Sequence, residues 1–173
     1  IAEITVRRFD HQIESLDPSA PDHAEAVARL NAEKTAFQVA DCQKRVEKFP
    51  TDLAIRYEMG VLYFQAGKIV EAIQEFQKAQ GNPHKRIAAM NYLAQCFGKR
   101  KMFDLAGKTL QTAIKEKTLF DDEKKDLIYN LGSVLESMGK KDEAVEQFKI
   151  IYEVDINYRD IQAKVESYYS GQG

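Results

Sequence analysis

Tryptophan is absent from the 173 residues, cysteine occurs twice and proline four times. Two cysteines, Cys42 and Cys96, stand too far apart for a C-x-x-C motif and sit among apolar neighbours in helix-like sequence, where a free thiol serves as a small core residue. A disulfide-stapled or redox-active fold is therefore not expected, and a reducing compartment is the default. No N-x-S/T acceptor occurs, which disfavours a glycosylated secreted protein. Nor is there a run approaching the ~18 apolar residues that a membrane span requires, and Glu3, Arg7 and Arg8 break up the first ten residues where a signal core would be apolar. The segment reads as soluble and cytoplasmic. Because it opens on Ile1, a periplasmic or membrane-tethered setting with a signal or anchor removed is the alternative. Charge of one sign is missing too: 25 Lys+Arg face 27 Asp+Glu, so the clustered cations on which phosphate-backbone affinity depends are not there. Nucleic acid is a poor partner for such a chain.

What the sequence does contain is a repeat. Three segments superimpose, beginning at Tyr57, Tyr92 and Tyr129. Ala72, Ala106 and Ala144 are spaced by 34 and 38 residues, and the same two intervals join Gly60, Ala94 and Gly132, and again Phe76, Leu110 and Phe148. One four-residue insertion, near Lys115 to Asp122, accounts for the longer interval because every landmark shifts together across it. Small residues recurring with large ones at helical spacing point to pairs of helices in close approach, with Tyr63 and Phe76 filling the space beside Gly60 and Ala72. Helices are expected at about 52–66, 69–80, 84–98, 102–118, 121–138, 141–154 and 157–169. Thr51 or Asp52 can cap the first of these and Asp121 or Asp122 the fifth.

Met59-Gly60, Tyr63, Gly67, Ala72, Phe76 and Ala79 in the first unit, with Leu93-Ala94, Phe97, Ala106, Leu110 and Ala113 in the second and Leu131-Gly132, Gly139, Ala144 and Phe148 in the third, resemble the tetratricopeptide repeat family. The tail Lys149 to Ile156 looks like the ends of repeat blocks in bacterial members. The departures are a missing Trp at the start of each unit, Lys101 where a turn Gly is expected, and a closing Pro present only as Pro83. The resemblance implies an all-α, right-handed α-solenoid of antiparallel helix pairs. Its units fall at about 53–86, 87–124 and 125–156 within a block from 51 to 156, after an N-terminal helical segment over 1–50 and before a capping helix and tail over 157–173. Residues 22–48 contain no Gly or Pro, which favours one long helix over a fourth, degenerate repeat.

Chemistry is hard to find. The Gly60–Gly67-Lys68 and Gly132–Gly139-Lys140 spacings have six residues between glycines and no Ser or Thr after the Lys, so neither is a phosphate-binding loop. His11, His23 and His84 lie in different elements without metal-ligand spacing, and no serine has a nucleophile's context. No catalysis, metal or nucleotide cofactor is expected. The resemblance instead implies a groove lined by the first helix of each unit. Tyr57, Val61, Phe64 and Gln65 would contribute from the first unit, Asn91, Gln95, Gly98 and Lys99 from the second, and Tyr129, Asn130, Ser133, Glu136 and Ser137 from the third. Rigid rings beside amides suit an extended or helical peptide of another protein. The competing reading is that Tyr57, Phe64 and Tyr129 merely pack against the long N-terminal helix. Chaperone-binding members of the family hold a C-terminal carboxylate with Lys, Asn and Arg. Tyr57, Val61, Tyr92, Asp126 and Asn130 stand at those places here, which argues against a co-chaperone role. The rivals to a peptide-binding scaffold are a homo-oligomerisation or envelope-assembly module and the non-catalytic part of a larger enzyme.

Overall fold

The computed structural model describes residues 2–171. Ile1 and the tail residues 172 and 173, grouped above with the N-terminal segment and the capping helix, lie outside them. All regular structure among the described residues is helical, and the chain divides into two compact units, Ile1–Ala79 and Gln80–Gly173.

The first unit holds α1 (Ala2–Glu14), α2 (His23–Lys48), α3 (Leu53–Gln65) and α4 (Ile69–Ala79). Asp17-Pro18 ends the first helix, and the stretch without Gly or Pro that follows runs as one helix of 26 residues, about 39 Å long. One face of α2 takes α1, with the Phe9 and Phe37 rings 6.4 Å apart and Lys34 2.5 Å from Asp10. Another face takes α3, where Val39, Cys42 and Val46 pack on Ile55, Met59, Leu62 and Tyr63. Asp52, not Thr51, caps α3 by accepting from the amides of Ala54 (2.9 Å) and Ile55 (3.2 Å).

The second unit holds α5 (Arg86–Lys99), α6 (Phe103–Glu116), α7 (Asp122–Ser137), α8 (Lys141–Tyr152) and α9 (Ile161–Ser170). One core runs through it, from Met90 and Ala94 past Leu110, Leu127 and Leu131 to Phe148, Ile161 and Val165. Of the two capping candidates, Asp121 is the one that accepts from an α7 amide, that of Lys124 at 3.1 Å. Cys96 in this unit and Cys42 in the first are both free and buried, and burial pushes each thiol up to about 11.

The recurring small residues hold the helices of a pair together. A Cβ built on Gly60 would stand 2.8 Å from the Phe76 ring, and one on Gly132 would stand 2.4 Å from the Phe148 ring. Where Ala94 replaces Gly, the facing landmark is the smaller Leu110, and both are buried in the same core. The turns repeat as closely. The amide of the third residue after each helix end reaches back to a carbonyl of the last turn: Lys68 to Tyr63 (2.8 Å), Met102 to Phe97 (2.9 Å) and Lys140 to Leu135 (2.9 Å). Each turn needs one left-handed residue, supplied by Gly67 (φ 74), Lys101 (φ 60) and Gly139 (φ 76). Lys101 therefore adopts a glycine conformation at a steric cost of roughly 1–2 kcal/mol. Lys101→Gly should raise stability by about 0.5–1 kcal/mol once the extra freedom of the unfolded glycine is subtracted, readable as a higher denaturant midpoint at unchanged slope. A lower midpoint would show that the Lys101 side chain contributes more than the strain.

The capping helix starts later than the sequence indicates, at Ile161 instead of 157. Arg159 is the reason. Its backbone turns left-handed, at φ 48, and its guanidinium sits 2.5 Å from Asp126 and 4.6 Å over the Tyr129 ring, so the segment before α9 is drawn onto α7 and cannot be helical.

Candidate functional site

In the second unit α5 and α7 lie side by side, and six of the sequence-derived candidates, Gln95, Gly98, Lys99, Asn130, Ser133 and Ser137, meet around a single cavity of about 370 Å3. Ala94, Phe103, Leu110 and Val134 give it an apolar wall. Asn91 is drawn into the helix stack: its side-chain oxygen accepts from the Asn130 amide at 2.8 Å, which fixes Asn130's orientation at the cavity edge. Ser133 and Ser137 each donate to the carbonyl four residues back, at 3.0 and 2.9 Å, which leaves their oxygens able to accept. The assembly is a ring of amides and hydroxyls around an apolar interior. Such a ring can pair with a peptide's backbone and side chain together.

Tyr129 stands apart from this cavity. Its ring lies 5.7 Å from Phe148 and under the Arg159 guanidinium, and its hydroxyl donates to Asp160 at 2.8 Å. Burial, with that bond to Asp160, pushes its pKa up to about 12. Tyr158 donates to Asp126, and burial together with that carboxylate raises its pKa as well. The aromatic and acidic positions at the start of α7 are thus engaged by residues 158–160.

In the first unit Tyr57, Val61 and Phe64 are half-buried on one face of α3, at i, i+4 and i+7. Tyr57 meets Phe76 of α4 edge to face at 5.9 Å. The ring partners of Tyr57 and Tyr129 come from α4, from α8 and from the segment before α9. Among the described residues no group of three or more His, Cys, Asp or Glu could hold a metal ion, and no helix is long and apolar enough to cross a membrane. Ala94, Phe103, Leu110 and Val134 are the cavity residues that the groove positions missed, Ala94 and Leu110 having been read as packing landmarks and the other two lying off the expected face.

Antiparallel helix pairs repeating at 34 and 38 residues, each closed by a small residue against a large one, define a helix-pair repeat protein. The tetratricopeptide repeat family model matches residues 126–154, the α7/α8 pair, and the all-α fold is that of the tetratricopeptide-repeat solenoids. Crystal structures with the same fold include MamA, at a TM-score of 0.70 and 20% identity over 85% of this chain and 84% of that one. A thermophilic TPR protein of Thermus thermophilus superimposes with a TM-score of 0.64 and 15% identity over 96% of this chain and 89% of that one. No curated protein sequence matches the chain significantly.

Proposed function

We propose that the protein is a non-catalytic protein-interaction scaffold, and that the α5/α7 face of its second unit takes a peptide or helix of another protein. The observation that carries this reading is the convergence of Gln95, Asn130 and Ser133 on one cavity with an apolar wall. Amide and hydroxyl groups held by their own helices can pair with a peptide backbone at little entropic cost, and the wall supplies the apolar area. The helix-pair units at about 53–86, 87–124 and 125–156 serve as the scaffold in this reading. Tyr129 and Asn91 act inside the second unit, so recognition there falls on the residues around the cavity, and Tyr57, Val61 and Phe64 of α3 offer a separate contact face on the first unit.

Panning a random-peptide display library against the full chain tests it. The selected peptides should lose at least tenfold in affinity, about 1.4 kcal/mol, for a Gln95→Ala/Asn130→Ala/Ser133→Ala variant of unchanged Tm. Failure to select any peptide, or equal affinity for the variant, overturns the assignment.

A further inference from the structure

The cavity of the second unit has a counterpart one register further along the chain, and the two differ at the mouth. Between α7, α8 and α9 lies a cavity of about 310 Å3 that includes Glu136, Phe148 and Lys164. Glu136 and Phe148 follow Gly98 and Leu110 by 38 residues, and Lys164 follows Asn130 by 34. At that second site the mouth is bridged: Lys164 pairs with Glu136 at 2.7 Å, and its ammonium sits 4.8 Å over the Phe148 ring. At the first site Gly98 and Asn130 occupy the bridging positions, and no ion pair can form between them.

Gly98 has no packing reason to be glycine. A Cβ placed on it meets nothing within 4 Å, and its backbone is ordinary helix, in contrast to Gly60 and Gly132, which face rings, and Gly67 and Gly139, which need positive φ. Gly98 is the next-to-last residue of α5, and the neighbouring register carries Glu136 at the matching position. What Gly98 does achieve is an open doorway. Behind it the walls are Ala94, Phe103, Leu110 and Val134, apolar surface that a hydrocarbon side chain covers favourably, while Gln95, Asn130 and Ser133 remain for the peptide's polar groups.

We infer that this opening is an anchor pocket, which receives one large apolar side chain, aromatic or leucine-like, from the peptide partner, with Gly98 as its doorway and Leu110 at its floor. The inference rests on the peptide-binding reading above and adds the chemistry of the partner's central residue. Burying such a side chain in a preformed apolar pocket ringed by polar groups is the arrangement in which a few residues dominate binding. The neighbouring site, with its Glu136–Lys164 bridge, takes no such anchor.

The test uses the full chain labelled with 13C at Leu and Val methyls, titrated with N-acetyl-L-phenylalaninamide and, separately, N-acetyl-L-alaninamide. The phenylalanine probe should shift the Leu110 and Val134 methyls saturably, and the alanine probe should bind at least tenfold more weakly. Gly98→Glu/Asn130→Lys, which copies the bridge of the next register, should abolish the shifts while the methyl spectrum and Tm stay native-like. Gly98→Leu, a plug without charge, should do the same. No shift at these methyls, equal titration by both probes, or undiminished binding to both variants would overturn the pocket. Should the library-selected peptides also bind Gly98→Leu unchanged while losing affinity for the Gln95/Asn130/Ser133 variant, the anchor is wrong and the peptide-binding face stands. If the probe binds as expected but no peptide is selected, the peptide-binding reading fails instead.

Discussion

Gly132→Ala is expected to destabilise the protein by about 2 kcal/mol, although alanine is the better helix former by roughly 1 kcal/mol. The new methyl would lie 2.4 Å from one carbon of the Phe148 ring and 2.6 Å from another, distances at which the ring must move. Phe148 is 1% exposed and packed in the core of the second unit, so moving its ring disturbs that packing, and overpacking such a site costs roughly 1–3 kcal/mol. The middle pair shows the remedy, because Ala94 faces Leu110 where Gly132 faces Phe148. Gly132→Ala/Phe148→Leu should therefore recover most of the loss, and it should be more stable than the two single changes added together by at least ~1 kcal/mol in a double-mutant cycle. Additive effects would mean that glycine and ring are not coupled, and that the register relating the three pairs is packing coincidence. Chemical denaturation of the four proteins decides it.

That coupling is also why the fold could be read from the sequence. Small and large landmarks at two constant intervals are a steric signature, and once Gly60, Ala94 and Gly132 are aligned, the helices from α3 to α8 fall within a few residues of their places. The missed features are those where a side chain overrides the local pattern. The capping helix begins at Ile161 because Arg159 trades a helical backbone for contacts with Asp126 and Tyr129, residues far back along the chain on α7, and no local window contains that bargain. Lys101 keeps the same left-handed turn as Gly67 and Gly139 because the helix pair demands it, against the residue's own preference. The candidate site was readable only as a set of helix positions, of which Gln95, Lys99, Asn130 and Ser133 line one cavity. What it lacked was depth. The wall formed by Phe103 and Val134 belongs to a three-helix junction, whereas the groove positions were taken from one face of the first helices alone. Nor could spacing tell that Tyr129 would be covered by the chain's own Arg159.

The first unit carries a second large expected effect, centred on a charge in its interior. Glu75 of α4 is 8% exposed, and it is held by Arg56 of α3 at 3.1 and 3.3 Å and by Lys78 at 3.0 Å. Arg56 has a second task, since its guanidinium also donates to the Pro50 carbonyl at 3.0 and 3.2 Å, tying the turn before α3 to the α3/α4 pair. Removing one member of such a pair leaves a carboxylate without its partner in a site that water reaches poorly, and losses of about 3–5 kcal/mol are usual for fully buried pairs. Lys78 remains and is half-exposed, so Arg56→Met should fall at the lower end, about 2–3 kcal/mol. Glu75→Leu on that background removes the stranded charge and should restore much of the loss, because an apolar pair of similar volume often matches a buried ion pair. The sign of this rescue separates two roles for Arg56. If Glu75→Leu/Arg56→Met regains stability, the guanidinium serves mainly to neutralise Glu75. If the double variant stays as unstable as Arg56→Met alone, the bonds to Pro50 are what the first unit depends on, and the turn that sets α3 against α2 is held by that one side chain.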